Sequence, residues 1–307
     1  MPPTTSRLAA LLAPTSLLVA CTTRVELPVA APRLDPSQDW AELLGEAASP
    51  AGVDYDHIAA HRDRLERYLA WVGEHGEISD GWKESKEDQR IAFLVNAYNA
   101  AVIQGVLMHR PIDSVRDVRV GPFPPGGAGF FVGLRFKVDG EWQSLHHLES
   151  ERIVNRYQEP LVHVALHCAS ESCPPLRWWP ERGLQGHLAS AMRRFVGSDR
   201  GLAPLPGPTP QDPPAGYAAS ELFRWYADDF TDWSQADTLC QWLLPYADGA
   251  REAWLLAHAE DCPLQFQEWD WSLDHAARVE GRTEEAEEPR EPQEEQAAGE
   301  DTGKAEE

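Results

Sequence analysis

Basic residues are scarce in this chain. Lys and Arg number 27 against 50 Asp and Glu, giving a formal net charge of −23 over 307 residues. No basic patch offsets that excess, which argues against a nucleic-acid partner. Much of the charge is local: Glu280 to Glu307 holds twelve acidic and three basic residues. That segment is polar and repetitive in composition, and it cannot bury enough apolar surface to offset chain entropy, so 276–307 reads as a disordered acidic tail. The sequence also lacks an internal repeat and a phosphate loop. Gly126-Gly127-Ala128-Gly129 has neither the Lys-Ser/Thr that would follow in such a loop nor a strand before it. The apolar run Leu8 to Ala20 is short and interrupted by Pro14, too little to span a bilayer comfortably.

Cysteine is sparse, with five in all, and each is therefore informative. Arg7 precedes the apolar run, which closes on Leu18-Val19-Ala20-Cys21, and this ending resembles the cleavage site of a bacterial lipoprotein signal peptide. The resemblance implies that 1–20 is removed, that Cys21 is lipidated and becomes the membrane anchor, and that the protein resides in the cell envelope. Thr22, standing where an aspartate would favour inner-membrane retention, points to the outer membrane, facing the periplasm. Four cysteines then remain, Cys168, Cys173, Cys240 and Cys262, which allow two disulfides in any of three pairings.

Residues 21–54, rich in Pro and Ala, read as a tether with one short helix near Trp40 to Ala48. A domain is expected over 55–275. Ser85 and Asp88 suggest a capping box, and Pro111 bounds the helix that follows. In that helix Ile91, Leu94, Val95, Tyr98, Val102 and Val106 fall on one stripe, with Ala92, Phe93, Ala100, Ile103 and Leu107 on a second, so it is expected to be central and buried. Asn96 and Asn99 lie in the second face, and buried amides need partners, so each either braces a backbone or lines a site. Phe130 to Val138 reads as a strand, with Asp139-Gly140 as a hairpin turn into Trp142 to Leu145. A helix carrying Glu149 near its first turn follows, and further helices are expected over Leu184 to Val196, from Ser220, over Thr238 to Tyr246 and over Glu252 to Ala259. The aromatic segment Trp269-Asp270-Trp271-Ser272-Leu273 is expected to dock on the core.

The stretch Leu161 to Leu176, LVHVALHCASESCPPL, reads as a buried strand entering a tight loop. Alternation would put His163 and His167 on one face and Cys168 on the other. Cys173, past the loop, would then be the better nucleophile and Cys168 the better core residue. A disulfide between them is the competing reading, since so short a loop can bring the two within range. A zinc site from His163, His167, Cys168 and Cys173 is opposed by the facing rule, and no cofactor is expected.

Phe93 to Ala100, Ser144 to Glu149, His163 to Pro175, Ser220 to Phe230 and Asp270 to Leu273, in that order, resemble the domain-of-unknown-function 547 family over roughly Tyr55 to Asp274. The resemblance points to Asn96, Tyr98, Asn99, Glu149, His163, Cys168, Ser172, Cys173 and Pro174 as the site region and brings no established reaction. Leu94, His146, His147 and Ser150 depart from the usual pattern, and the His146-His147 pair looks particular to this chain.

The fold expected is α+β, a small antiparallel sheet packed against a mostly helical domain around a central buried helix. Two functions are expected to compete. One is a thiol-dependent hydrolase or acyl transferase acting on an amide or ester, in which Cys173 attacks, His163 takes its proton and Glu149 or Asn99 orients the imidazole. The other is a non-catalytic binding or structural envelope lipoprotein with a structural cysteine pair, partnered by an envelope polymer or peptide through some of its twelve tryptophans.

Overall fold

The central helix, Glu87–His109, is buried at every position from Ile91 to Val106. A helix apolar around its whole circumference can only be satisfied inside protein. Glu87 and Asp88 sit in its first turn, where carboxylates suit the helix dipole. It stops at His109 because Arg110 precedes Pro111 and adopts an extended conformation. Gly105 is required by packing: a β carbon there would overlap the ring of Phe130, which is fully buried against it. This helix is long and apolar enough to cross a membrane by length and composition, yet 89% of its apolar window is buried within the protein.

These relations come from a computed structural model that describes residues 22–27, 36–82, 86–122, 126–209 and 211–276. The expected signal peptide and Cys21, the acidic tail beyond Ala276, and Ser85 of the expected capping box lie outside the described residues.

Helix Arg62–Glu74 packs Leu65, Tyr68, Leu69 and Val72 into the core beside the central helix. Strand Leu134–Val138 lies against it and turns through Asp139 and Gly140 into Glu141–Gln143, pairing Phe136 with Gln143 and Val138 with Glu141. Both turn residues have positive φ, +54° and +82°, as a two-residue hairpin turn of this hand demands. Along the strand Leu134, Phe136 and Val138 point inward. Thr23–Arg24 adds a parallel edge to the same sheet. A second three-stranded sheet sets Gly216–Ala219 between Ala203–Leu205, antiparallel, and Gln265–Phe266, parallel. The α+β class is thus as expected, although strand pairing among the described residues is divided over several small sheets and includes two parallel pairs.

Three expectations need correction. Residues 37–54 are part of the folded body rather than a tether: helix Ser37–Ala47 buries Trp40, Leu43, Leu44 and Ala47 along one stripe. The short hairpin that follows it holds the C-terminal segment through Val53 N–H to Asp274 O and Ala276 N–H to Val53 O. The segment before the hairpin starts with a π-helical turn, Gly129–Gly133, so the strand begins at Leu134 rather than Phe130. Leu161 to Leu176 holds no strand. Pro160 opens a 3-10 turn, Pro160–Val164, capped by the Glu159 carboxylate on Leu161 N–H, and the chain then runs irregularly. Proline is preorganised for a first helical position, and a short buried apolar run has the same signature in a strand and in a helical turn.

Cys240 and Cys262 are joined, Cα to Cα 5.4 Å, tying helix Leu239–Leu243 to the loop after helix Gly249–Ala257. The link spans a sequence separation of 22, and opening a loop of that size releases denatured-chain entropy worth about 3 kcal/mol. A Cys240→Ala, Cys262→Ala variant is expected to lose about that much in a denaturant melt while keeping its helical signal.

Candidate functional site

The loop after the 3-10 turn is held from several directions. Asn99 Nδ2 donates to Ala165 O at 2.9 Å, while Asn99 Oδ1 accepts from His167 N–H at 2.9 Å. Asn96 clamps Trp179 in the same two-handed way, at 2.7 and 3.0 Å. Both amides therefore act as backbone braces, and neither orients His163. From the C-terminal segment Trp269 Nε1 donates to Ser170 Oγ, Glu171 N–H donates to Ser272 O, and Asp270 N–H donates to Ser172 Oγ. The docking expected for that aromatic segment is onto this loop. Such over-determination holds Ala169 at φ +57°, a left-handed conformation that a residue with a β carbon seldom adopts.

His167 is part of the scaffold. Its Nδ1 lies 3.0 Å from Pro174 O and its Nε2 3.1 Å from Asp274 Oδ2, and Asp274 also accepts from Tyr55 O–H at 2.7 Å. Burial alone would lower the His167 pKa, but the Asp274 carboxylate and the Pro174 carbonyl together raise it above the ordinary histidine value.

Cys168 and Cys173 form a disulfide, Cα to Cα 6.0 Å. Cys168 N–H also points at Cys173 Sγ, and Ser170 Oγ lies within 3.4 Å of both sulfurs. Cys173 is 1% exposed, whereas Cys168 is partly exposed. Strand alternation predicts the reverse, with Cys168 buried and Cys173 exposed. Without strand alternation the facing rule does not apply, and the chain reversal buries the second cysteine.

The pair lines a pocket of about 260 Å³ together with His163, Glu149, Tyr98, Tyr226 and His146, with further walls from Phe131, Leu166, Leu222, Trp225, Trp269 and Trp271. Three residues singled out from sequence, Cys173, His163 and Glu149, therefore meet in one place. Their couplings are other than expected. His163 Nε2 lies 2.8 Å from Asp229 Oδ2, and its ring stacks on Tyr226 at 3.8 Å. Asp229, not Glu149 or Asn99, orients the imidazole. Glu149 instead accepts from Tyr226 O–H at 2.7 Å and from Tyr98 O–H at 3.3 Å. Burial, reinforced by Glu149, pushes both phenols well above their usual range, so they remain donors. Asp229 sits 66 residues from His163. It falls inside the Ser220 to Phe230 stretch of the family resemblance, which was the only signal for it in the sequence.

The histidine and cysteine atoms of the postulated zinc site are committed elsewhere: His163 to Asp229, His167 to Pro174 and Asp274, and the sulfurs to each other. Among the described residues no group of three or more His, Cys, Asp or Glu is placed to hold a metal ion.

Residues 82–196 match the family model described as "Protein of unknown function, DUF547". This segment resembles a DUF547 domain. It carries the central helix, the hairpin, Glu149, His163 and the disulfide loop, while Asp229, Tyr226 and the docking segment Trp269 to Asp274 lie beyond the matched DUF547 residues. No curated protein and no solved structure matches the chain.

Proposed function

We propose that this chain is a ligand-binding protein of the bacterial cell envelope, anchored through Cys21, whose pocket is walled on one side by a structural disulfide. The observation that carries this reading is the Cys168–Cys173 bond in the wall of an aromatic pocket. A thiol must be free to act as nucleophile, and the sulfur favoured from sequence is bonded and buried. Aromatic walls with a few convergent polar groups are the usual make-up of a small-molecule site. The leader resemblance supports the envelope location, where a disulfide persists.

A second reading is favoured by the His163–Asp229 pair, which lines the same pocket as both sulfurs. On that reading an external dithiol reduces the bond, and Cys168, the more exposed sulfur, attacks an ester or amide carbonyl while His163 takes its proton, a hydrolase or acyl-transferase arrangement. The two are separated by assaying nitrophenyl esters and anilides on the purified chain before and after dithiothreitol. The binding reading expects no turnover above buffer in either state. Turnover that appears on reduction and vanishes in Cys168→Ser overturns it.

A further inference from the structure

Three tryptophans meet at the pocket mouth. Trp225 lies 4.5 Å from Trp269 and 6.0 Å from Trp271, centroid to centroid, and Trp269 lies 5.9 Å from Trp271. Trp225 is 44% exposed, so its ring is open to a ligand from solvent. Deeper in, Tyr98 and Tyr226 converge on Glu149, each donating to a different carboxylate oxygen. A carboxylate has about four lone-pair directions, so acceptor capacity remains after both phenols are served.

Among the described residues no Lys or Arg lines this pocket. An anionic ligand would meet Glu149 with no basic side chain to offset it. Aromatic faces carry the negative end of the ring quadrupole and attract cations, with indole the strongest. One such contact already exists in the adjoining groove, where the Arg116 guanidinium sits 5.4 Å over the Trp271 ring. That groove, about 730 Å³, shares Trp269 and Trp271 with the pocket and sets Asp113, Asp117, Glu268 and Asp270 against that one arginine. Its field draws cations toward the mouth. Of the two imidazoles lining the pocket, His163 is paired with Asp229 and His146 is exposed.

We infer that the pocket takes an alkylammonium group, held among Trp225, Trp269 and Trp271 and facing Glu149. This inference rests on the binding reading and adds to it the charge and class of what is bound. A neutral sugar, which stacks on the same rings, is the competing occupant, and a carboxylate is the excluded one.

The test is calorimetric titration of the purified full chain with tetramethylammonium, n-butylammonium, the neutral isostere neopentyl alcohol, butyrate and methyl glucoside. One or both cations are expected to bind saturably, the neutral isostere and butyrate at least tenfold more weakly, and Glu149→Gln is expected to weaken cation binding at least tenfold. Trp225→Leu, a change at an exposed ring that leaves the core alone, is expected to weaken it several-fold with an unchanged circular-dichroism spectrum, so the test does not depend on Glu149→Gln folding. Saturation by methyl glucoside or butyrate with no response to the cations overturns this inference and leaves the binding reading standing. Cation binding indifferent to both variants, or no cation binding at all, also overturns it. Ester turnover on reduction, by contrast, removes the binding reading itself.

Discussion

Asp139→Ala lowers unfolding stability by about 3–5 kcal/mol, the cost of stripping the partner from a buried charge. Asp139 is 0% exposed, and its carboxylate serves three donors: Ile78 N–H at 2.9 Å, Ser79 N–H at 2.8 Å and Arg152 Nη2 at 3.0 Å. It thereby fastens the hairpin to the start of the short helix Glu77–Asp80 and to the helical segment that carries Glu149. Among the described residues the ion pair left to Arg152 is with Glu141, 3.6 Å away and largely exposed. The residue also sits at φ +54°, where Asp and Asn are better tolerated than Ala, so truncation adds backbone strain. With roughly 2–4 °C lost per kcal/mol for a domain of this size, the melting temperature should fall by about 10 °C. Asp139→Asn, which keeps the turn and an acceptor oxygen, should fall between wild type and alanine; equal melts for all three would remove Asp139 from the account.

The second large effect is at Asp274. Asp274→Ala leaves Tyr55 O–H and His167 Nε2 facing a void, both within the core and both previously served by this one carboxylate. A loss of about 3–5 kcal/mol is again expected, with a pH signature that Asp139 does not share. The folded-state pKa of His167 is raised, so its contribution is fully present below the ordinary histidine value near 6.5 and is lost as pH climbs through the raised folded value. The stability gap between wild type and Asp274→Asn is therefore expected to be widest near pH 6 and to narrow toward alkaline pH, read from denaturant midpoints across that range. A gap that widens with pH would contradict the His167 assignment.

How far the sequence reaches can be judged from particular residues. The central helix was legible because burial around its full circumference shows directly as apolar residues on every face, and the hairpin was legible because Asp139-Gly140 meets a specific backbone requirement. That Cys173, His163 and Glu149 gather around one pocket was legible too, through Cys-Pro-Pro and the residues picked out by the family resemblance. Its couplings were not. The pairs His163 with Asp229, His167 with Asp274 and Asn96 with Trp179 join residues 66 to 107 apart in the chain or across separate elements, and no periodicity encodes them. The roles of Cys168 and Cys173 depended on a strand that Pro160 turns into a helical turn, so the exposed and buried sulfurs exchanged places. Trp40 was placed on a short helix, but composition alone assigned that helix to a tether, because Pro and Ala in its neighbourhood masked a stripe that the core uses.

The oxidation state of one loop decides what the pocket can do. Protein purified without reductant should be denatured in the presence of an alkylating reagent and its intact mass recorded, with peptide mapping of Cys168, Cys173, Cys240 and Cys262. The structure predicts no alkylation at any of the four before reduction and a Cys168–Cys173 crosslinked peptide in the map. Stoichiometric alkylation of Cys168 and Cys173 without reductant would contradict it, and would return the pocket to thiol chemistry with His163 and Asp229 beside a free sulfur.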